Sequence, residues 1–164
     1  MIILGFDPGL ATVGFGVINT DGNRHTVVDY GIISTPPSMS LPERLKCIYK
    51  CVGQIIDNYK PDAIAVEELF FNKNVKTAIT VAQARGALLA AASQKTDQLY
   101  EYTPLQVKQA VVGYGRAEKT QIQIMVSTFL NLKEIPKPDD AADALAVAIC
   151  HAHTNKLGGA FKIQ

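Results

Sequence analysis

Acidic side chains stand at the end of an apolar stretch in the segment AVEELFFNKN, which spans residues 65–74. Glu67 and Glu68 come where a buried strand is expected to end, and two phenylalanines and a lysine follow them closely. Another acid, Asp7, ends the apolar stretch IILGFD. If these two strands are parallel neighbours, the acids meet at one sheet edge, where α/β proteins form their sites. Successive strand residues face opposite ways, so only one of Glu67 and Glu68 can point with Asp7.

Two more acids stand at the start of the last predicted helix, in the segment DDAADALAVAICHAH. Pro138 and Asp139 are helix-start signals. Asp140 and Asp143 are three residues apart, so they share one face of a helix that is otherwise apolar. Carboxylates that converge without cations raise one another's pKa, whereas Mg²⁺ and Mn²⁺ prefer oxygen ligands. The acids taken together therefore favour a divalent-metal site.

Each of these residues, taken singly, also has a purely structural interpretation. Asp7 stands in a DPG turn signal, and Asp139 or Asp140 alone is typical of a helix N-cap. His151 and His153, in the last helix, are interpreted as helix-end and surface residues rather than ligands.

The order of strands and helices follows from hydrophobic period and turn signals. The predicted order is β-β-β-α-β-α-β-α-α-α, opening with a three-stranded antiparallel meander. Ser40 and Glu43 form a capping-box signal for the first helix, with Pro42 in its first turn. The fourth strand follows a helical crossover and is expected to lie parallel to the first. The fold class is a mixed-sheet α/β domain.

Length and composition narrow the function classes. A chain of 164 residues with 48% hydrophobic and 19% charged residues is typical of one globular domain. No apolar run reaches the roughly 20 residues of a membrane span. The N-terminus lacks signal-peptide features, so a cytoplasmic protein without a membrane partner is expected. The three cysteines are interpreted as reduced, buried thiols rather than a zinc site.

Positive charge is concentrated in the middle of the chain. Between residues 72 and 119, seven lysines and arginines stand against three acids. Such a bias fits a polyanionic partner, and it also fits an ordinary solvated surface.

Five segments together resemble the RuvC family of bacterial Holliday junction resolvases, the crossover junction endodeoxyribonucleases. They are GFDPGLATVGFGVI, AVEELFFNKN, QARGALL, PLQVKQAVVGYGRAEKTQIQ and DDAADALAVAICHAH, and the resemblance runs from about Ile3 to His153. It implies a ribonuclease H-like fold with a mixed five-stranded sheet flanked by helices. It also implies a single nuclease domain over residues 1–164, with a core at about 1–154 and a short tail at 155–164.

The same resemblance implies an activity and partners. Members resolve four-way DNA junctions in recombination and repair by paired symmetric nicks, leaving 5′-phosphate and 3′-hydroxyl ends. The resemblance also implies a homodimer, which matches the approximate two-fold symmetry of the junction. The dimer surface is expected on the apolar helix around residues 78–92. A branch-migration motor of RuvA and RuvB is the implied protein partner.

The resemblance also resolves the choice at the fourth strand. The family's strand-end glutamate precedes a short segment that leads to a phenylalanine, which matches Glu67 here. Asp7, Asp140 and Asp143 complete the implied tetrad, which would hold two Mg²⁺ ions per subunit, or Mn²⁺ in their place. Two such ions can activate a water and stabilise the leaving oxygen of a phosphodiester.

DNA contacts are predicted for one aromatic residue and five cations. Phe70 is predicted to stack on a base at the junction centre, while Phe71 is assigned to the core. The predicted cationic contacts are Lys73, Lys76, Arg85, Lys108 and Lys119. Lys108 and Lys119 match family lysines near the scissile phosphate, although Lys119 alone could equally form half of an exposed ion pair.

Two other function classes fit parts of the pattern. The segment DPGLATVGFGVI also resembles the first phosphate loop of actin-like ATPases and sugar kinases, which would make the chain a nucleotide-binding phosphotransferase. Those enzymes clamp nucleotide between two such domains, whereas 164 residues hold one. A catalytically silent junction-binding scaffold is the third class. Four converging anions would give such a binder no advantage near DNA.

Overall fold

The computed structural model describes residues 1–69, 75–154 and 160–163. Within them the elements follow the predicted order. The strands are β1 (Ile2–Asp7), β2 (Thr12–Asp21), β3 (Arg24–Ser34), β4 (Ala63–Glu67) and β5 (Leu99–Tyr102). The helices are α1 (Leu41–Tyr59), α2 (Val75–Ser93), α3 (Pro104–Val112), α4 (Lys119–Phe129) and α5 (Asp139–Thr154). None of the described helices is both long and apolar enough to cross a membrane.

All five strands form one sheet in the order β3-β2-β1-β4-β5. The first three pair antiparallel as a meander, and β4 lies parallel to both β1 and β5. The predicted mixed sheet is therefore confirmed. It places the carboxyl ends of β1 and β4 side by side at one edge.

Helices cover both faces of this sheet, and strand alternation decides which face each residue meets. Leu4 packs in the cluster that includes α1 and α2, while Ile3 packs in the cluster formed with α3, α4 and α5. Ala65 of β4 belongs to the same cluster as Ile3. Residues two apart share a face, so Asp7 and Glu67 both point toward α5.

Glycines in the strands allow α5 to lie directly on the sheet. A Cβ atom added to Gly5 would overlap the carbonyl oxygen of Ala144, and one added to Gly14 would overlap that of Asp140. Apart from Asp140 and Asp143, the contacting stretch of α5 is rich in alanine and buried. This close packing brings the N-terminus of α5, with its acids, over the carboxyl end of β1.

Capping boxes stabilise the N-termini of α1 and α3. The Glu43 carboxylate accepts hydrogen bonds from the Ser40 N–H at 2.8 Å and from its hydroxyl at 2.7 Å. At α3, Thr103 Oγ1 accepts from the Gln106 N–H, and the Gln106 side chain accepts from the Thr103 N–H. The predicted cap of α1 is therefore confirmed, and the α3 cap fixes the helix that carries Lys108.

Residues beyond α5 return to the sheet edge. The Ile163 N–H donates to the Leu99 carbonyl oxygen at 2.9 Å, and Phe161 packs on Tyr102 with ring centroids 5.1 Å apart. The described end of the chain is thus packed on β5.

Candidate active site

The carboxyl ends of β1 and β4 open into a cleft of about 260 Å³. Asp7 and Glu67 follow immediately after Phe6 and Val66, which are paired partners in the parallel register. The lining residues are Asp7, Glu67, Pro104, Val107, Lys108, Lys119, Ile122, Asp143 and Ala146. Three elements of different sequence origin, β1, β4 and α5, therefore supply carboxylates to one cleft.

The carboxylates in this cleft raise one another's pKa. Burial raises the pKa of Asp7 to about 8, with further contributions from the charges of Glu67, Asp143 and Asp140. Asp7 and Glu67 also share a hydrogen bond, which favours the proton on Asp7. Burial raises the pKa of Glu67 and of Asp143 as well. The cluster therefore retains a proton at neutral pH, which is the response of crowded anions to a shortage of positive charge.

Two lysines supply part of that positive charge. Lys119 Nζ lies 3.0 Å from Asp143 Oδ2 and 3.3 Å from Asp139 Oδ2, so α4 and α5 are joined by ion pairs. Burial acts to lower the pKa of Lys119, but its pairing with the two aspartates outweighs burial and raises it. Lys108 acts from α3, and its charge lowers the pKa of Glu67. Two lysines against four carboxylates leave the cleft anionic.

The donor set of the cleft fits a hard divalent cation. All four acids offer carboxylate oxygens, the ligands that Mg²⁺ and Mn²⁺ prefer. The described residues contain no group of three or more His, Cys, Asp or Glu side chains already at coordinating separation. Asp143 is turned toward Lys119, and Asp140 is absent from the cleft lining although its charge acts on Asp7 and Asp143. Binding of an ion would require side-chain rotation at these two positions.

Comparison with known proteins places this chain in a family. The sequence model described as crossover junction endodeoxyribonuclease RuvC matches residues 3–151. The chain belongs to the RuvC family. The crossover junction endodeoxyribonuclease RuvC of Alkaliphilus oremlandii is 62% identical over 164 residues and is covered completely, as is this chain.

Solved RuvC structures share the whole architecture. Thermus thermophilus RuvC superposes with a TM-score of 0.92 at 37% identity, covering 99% of this chain and 100% of that chain. The same RuvC in complex with Holliday junction substrate gives a TM-score of 0.94 at 37% identity, covering 99% of both chains. RuvC-family membership and the ribonuclease H-like fold are therefore confirmed. RuvC enzymes are nucleases, and the family implies use of a divalent metal.

The predicted DNA contacts occupy different parts of the molecule. Lys108 and Lys119 line the acidic cleft. Arg85 lies on the opposite face of the sheet, where its Nη2 pairs with Glu101 Oε2 at 2.6 Å and only 18% of its side chain is exposed. Because Tyr102 faces α5, the preceding Glu101 faces α2, which carries Arg85. The DNA contact of Arg85 stays a prediction, and its charge is already neutralised by this pair.

The remaining predicted contacts have no described side chain. Phe70, Phe71 and Lys73 lie outside the described residues. Lys76 stands in the first turn of α2, and its side chain is likewise outside the described part. Their proposed contacts with DNA rest on the sequence alone.

Three features of the site were not anticipated from the sequence. Gly5 and Gly14 set the height of α5 above the sheet, and the available signal was a lone glycine inside a strand pattern. The ion pair weighed as the alternative for Lys119 is present, but its partners, Asp139 outside the expected tetrad and Asp143 within it, were not foreseen. The surface interpretation of His151 was wrong, because this side chain is 1% exposed and its Nδ1 lies 2.8 Å from the Tyr102 hydroxyl. No local sequence signal links those two residues.

Proposed function

We propose that this RuvC-family chain cuts four-way DNA junctions at the cleft over β1 and β4. The observation that carries the proposal is the convergence of Asp7, Glu67 and Asp143, from three different elements, on one cleft, because such a cleft favours added positive charge. The relatives named as crossover junction endodeoxyribonucleases support the reaction, and the Thermus thermophilus complex with a Holliday junction supports the substrate.

Asp7, Glu67, Asp140 and Asp143 are proposed to hold two Mg²⁺ ions, with Mn²⁺ as a substitute. When bound, such ions lower the pKa of water and stabilise charge on the leaving 3′-oxygen of a phosphodiester. Asp7 would be the central carboxylate of this set, because the charges of the other three acids all act on its pKa. Cleavage would leave 5′-phosphate and 3′-hydroxyl ends.

Lys108 and Lys119 are proposed to hold the phosphate that is cut. Both line the same cleft as Asp7 and Glu67, so their ammonium groups reach the substrate side of the acids. Lys119 is 53% exposed while it pairs with Asp143, so a phosphate can approach it without disturbing the core. Phosphate contacts of this kind make binding depend on salt. Phe70 is proposed as the base-stacking wedge, with Lys73, Lys76 and Arg85 as outer contacts.

A homodimer is proposed on α2. Its exposed side carries a stripe of apolar and small residues at helical spacing, Ile79, Ala82, Gly86 and Ala90. Ile79 is 55% exposed, so an isolated chain leaves apolar surface in contact with water that a dimer interface would bury. A two-fold dimer would present two equal clefts to two strands of the junction, so nicks would be paired and symmetric.

The remaining proposals concern the setting of the reaction. Residues 1–164 are proposed to act as one nuclease domain in the cytoplasm. A RuvA–RuvB branch-migration motor is proposed to deliver the junction.

Cleavage of a labelled synthetic junction tests the proposal. We expect paired nicks with Mg²⁺ on the junction, none on a matched linear duplex, and none in EDTA. Glu67→Gln and Asp7→Asn are expected to lower the cleavage rate at least a thousandfold while junction binding stays within a few-fold. Glu68→Gln is the matched control, because Glu68 is the neighbouring carboxylate and is exposed.

Three outcomes would count against the proposal. Metal-dependent cleavage by Asp7→Asn near the wild-type rate would show that Asp7 is not needed to hold the metal ions. Binding without nicks, with either metal and several junction sequences, would indicate a scaffold. Absence of junction binding would favour the nucleotide-binding phosphotransferase alternative, which is tested by ATP binding.

A further inference from the structure

Two of the three histidines meet at the sheet edge opposite the acidic cleft. His25 stands near the start of β3 and His153 near the end of α5, 128 residues apart in sequence. Their Nε2 atoms face each other at 3.1 Å, with the ring planes 53° apart. The pair joins the β2–β3 hairpin to the last helix.

Hydrogen bonds at the far side of each ring fix the orientation of this pair. His153 Nδ1 lies 3.0 Å from the Ala110 carbonyl oxygen, which can only accept, so Nδ1 carries the proton and Nε2 keeps its lone pair. Because this lone pair accepts, the His25 Nε2–H donates to His153 Nε2, and His25 Nδ1 accepts from the Thr20 hydroxyl at 2.9 Å. An ion would take the place of this bridging proton, with the His25 proton moving to Nδ1, where it can donate to Thr20 Oγ1. Imidazoles that bind metal ions are oriented in this way, by an oxygen partner on the nitrogen that does not bind.

The surroundings hold one ring rigid and leave the other accessible. His25 is 5% exposed, while His153 is exposed to solvent. Phe129 of α4 packs edge-on against both rings, with centroids 6.4 Å from His25 and 5.1 Å from His153. An open cleft of about 740 Å³ borders His25, and Asp21, Asn23 and Asn131 are among its lining residues. The cleft leaves room for water beside His25, while His153 reaches solvent outside its lining.

The separation of the two nitrogens suits a transition-metal ion. Zinc–imidazole bonds are about 2.0–2.1 Å long, so nitrogens 3.1 Å apart subtend an angle of roughly 98° at a shared ion, within the range of tetrahedral and octahedral sites. Imidazole selects borderline ions such as Zn²⁺, Ni²⁺ and Cu²⁺, whereas Mg²⁺ prefers oxygen. Burial, with a smaller contribution from His153, lowers the pKa of His25, which favours the neutral ring that a metal ion binds.

We propose that His25 and His153 form a binding site for a borderline transition-metal ion, of which Zn²⁺ is the type, and that the ion clamps the β2–β3 hairpin to α5. The described residues offer no third His, Cys, Asp or Glu at coordinating distance, so water completes the shell. The site is independent of the nuclease proposal, because it lies at the other end of α5 and uses different ligand chemistry.

Imidazole nitrogen NMR tests the site directly, because the protein has only three histidines. Zn²⁺ is titrated into the full chain in excess Mg²⁺, which competes for the carboxylates of the acidic cleft. The Cys47 and Cys51 thiols, 4.0 Å apart on α1, form another possible site for Zn²⁺, so the background is Cys47→Ser with Cys51→Ser. We expect the Nε2 signals of His25 and His153 to shift together at one equivalent, while those of His151 stay in place.

His153→Ala is the matched variant, since His153 is exposed and its loss leaves the core intact. Calorimetry should give Zn²⁺ affinity at least tenfold weaker than in the parent, and the Zn²⁺-dependent shift of His25 should vanish. Unchanged His151 signals in the variant show that the fold is retained. Zn²⁺ affinity equal to that of the parent, or a titration that leaves His25 and His153 unshifted, would overturn the proposal and leave a hydrogen bond only.

Discussion

At the scale of single residues, Asp7 carries the main electrostatic cost of the cleft. It is surrounded by three other acids, and burial removes the water that would otherwise screen them. Lys108 and Lys119 act chiefly on Glu67 and Asp143, so Asp7 is left with a proton as its compensating charge. A site arranged for cations is expected to be unstable without them, and this can be measured.

Asp7→Asn is expected to stabilise the protein stripped of metal by EDTA. In the unfolded chain Asp7 loses its proton near pH 3.8, whereas in the fold it keeps the proton until about pH 8. The unfolded state binds fewer protons between these values, so stability falls as pH rises from about 4 to 8. The variant lacks this group, and its free energy of unfolding at pH 8 should be roughly 1–3 kcal/mol higher in urea.

Two comparisons make this result specific. Glu68→Gln removes an exposed neighbouring carboxylate and should leave the pH dependence of the urea midpoint unchanged. Added Mg²⁺ should stabilise the wild type more than Asp7→Asn, because the ion binds the folded state only. An Asp7→Asn variant that is less stable than wild type in EDTA at pH 8 would contradict the assignment of the cost to Asp7.

At the scale of elements, the site depends on how closely α5 approaches the sheet. Gly14 is paired with Asp7 across β1 and β2, and its missing side chain is where the Asp140 carbonyl lies. The backbone contact fixes the start of α5 directly above the end of β1. Gly14 therefore positions the acids at the start of α5.

Gly14→Ala is expected to lower both stability and metal affinity. The added methyl overlaps backbone atoms of α5, which cannot rotate away, so the free energy of unfolding should fall by roughly 1–3 kcal/mol. Mn²⁺ affinity, measured by calorimetry, should fall as Asp140 and Asp143 move from Asp7. Gly53→Ala is the control, since nothing lies within 4 Å of its Cβ and it stands inside α1. It should raise stability by roughly 0.5–1 kcal/mol.

If Gly14→Ala matches the wild type in both measurements, the height of α5 is not set by this glycine. Loss of stability without loss of Mn²⁺ affinity would show that the helix moves as a unit and keeps its acids over β1.

Much of this arrangement could be predicted from the sequence, because it follows local rules. The periodicity of hydrophobic residues predicted the order of the elements. The helical crossover before β4 predicted that β4 lies parallel to β1, which places their carboxyl ends, and hence the acids that end them, side by side. Period alone did not choose between Glu67 and Glu68, because that choice needs the face that α5 covers. Contacts between distant segments were also beyond local rules, among them Arg85 with Glu101, Lys119 with Asp139 and His25 with His153.

At the scale of the whole molecule, one cleft per chain makes one cut, so the proposed paired cuts require two chains. The acidic cleft and the apolar stripe of α2 are formed by different elements, because helices pack on both faces of the sheet. A dimer through α2 would therefore leave both clefts open. Val28, Ile32, Leu105, Tyr114 and Ile124 are also among the exposed large side chains. Exposure alone therefore does not identify the interface, and a matched pair of substitutions is needed.

If α2 forms the proposed dimer interface, Ile79→Glu is expected to convert the dimer to a monomer, because it would place two charges against each other there. Ile124→Glu on α4 is the matched control: Ile124 is 50% exposed, against 55% for Ile79, and it should leave the dimer intact. Analytical ultracentrifugation at several protein concentrations measures the assembly. On a junction, the monomer should nick one strand at a time and lose the symmetric pairing of cuts. If both variants dimerise equally, the interface does not lie on α2. If the monomeric variant still makes paired cuts, paired cleavage does not depend on the dimer.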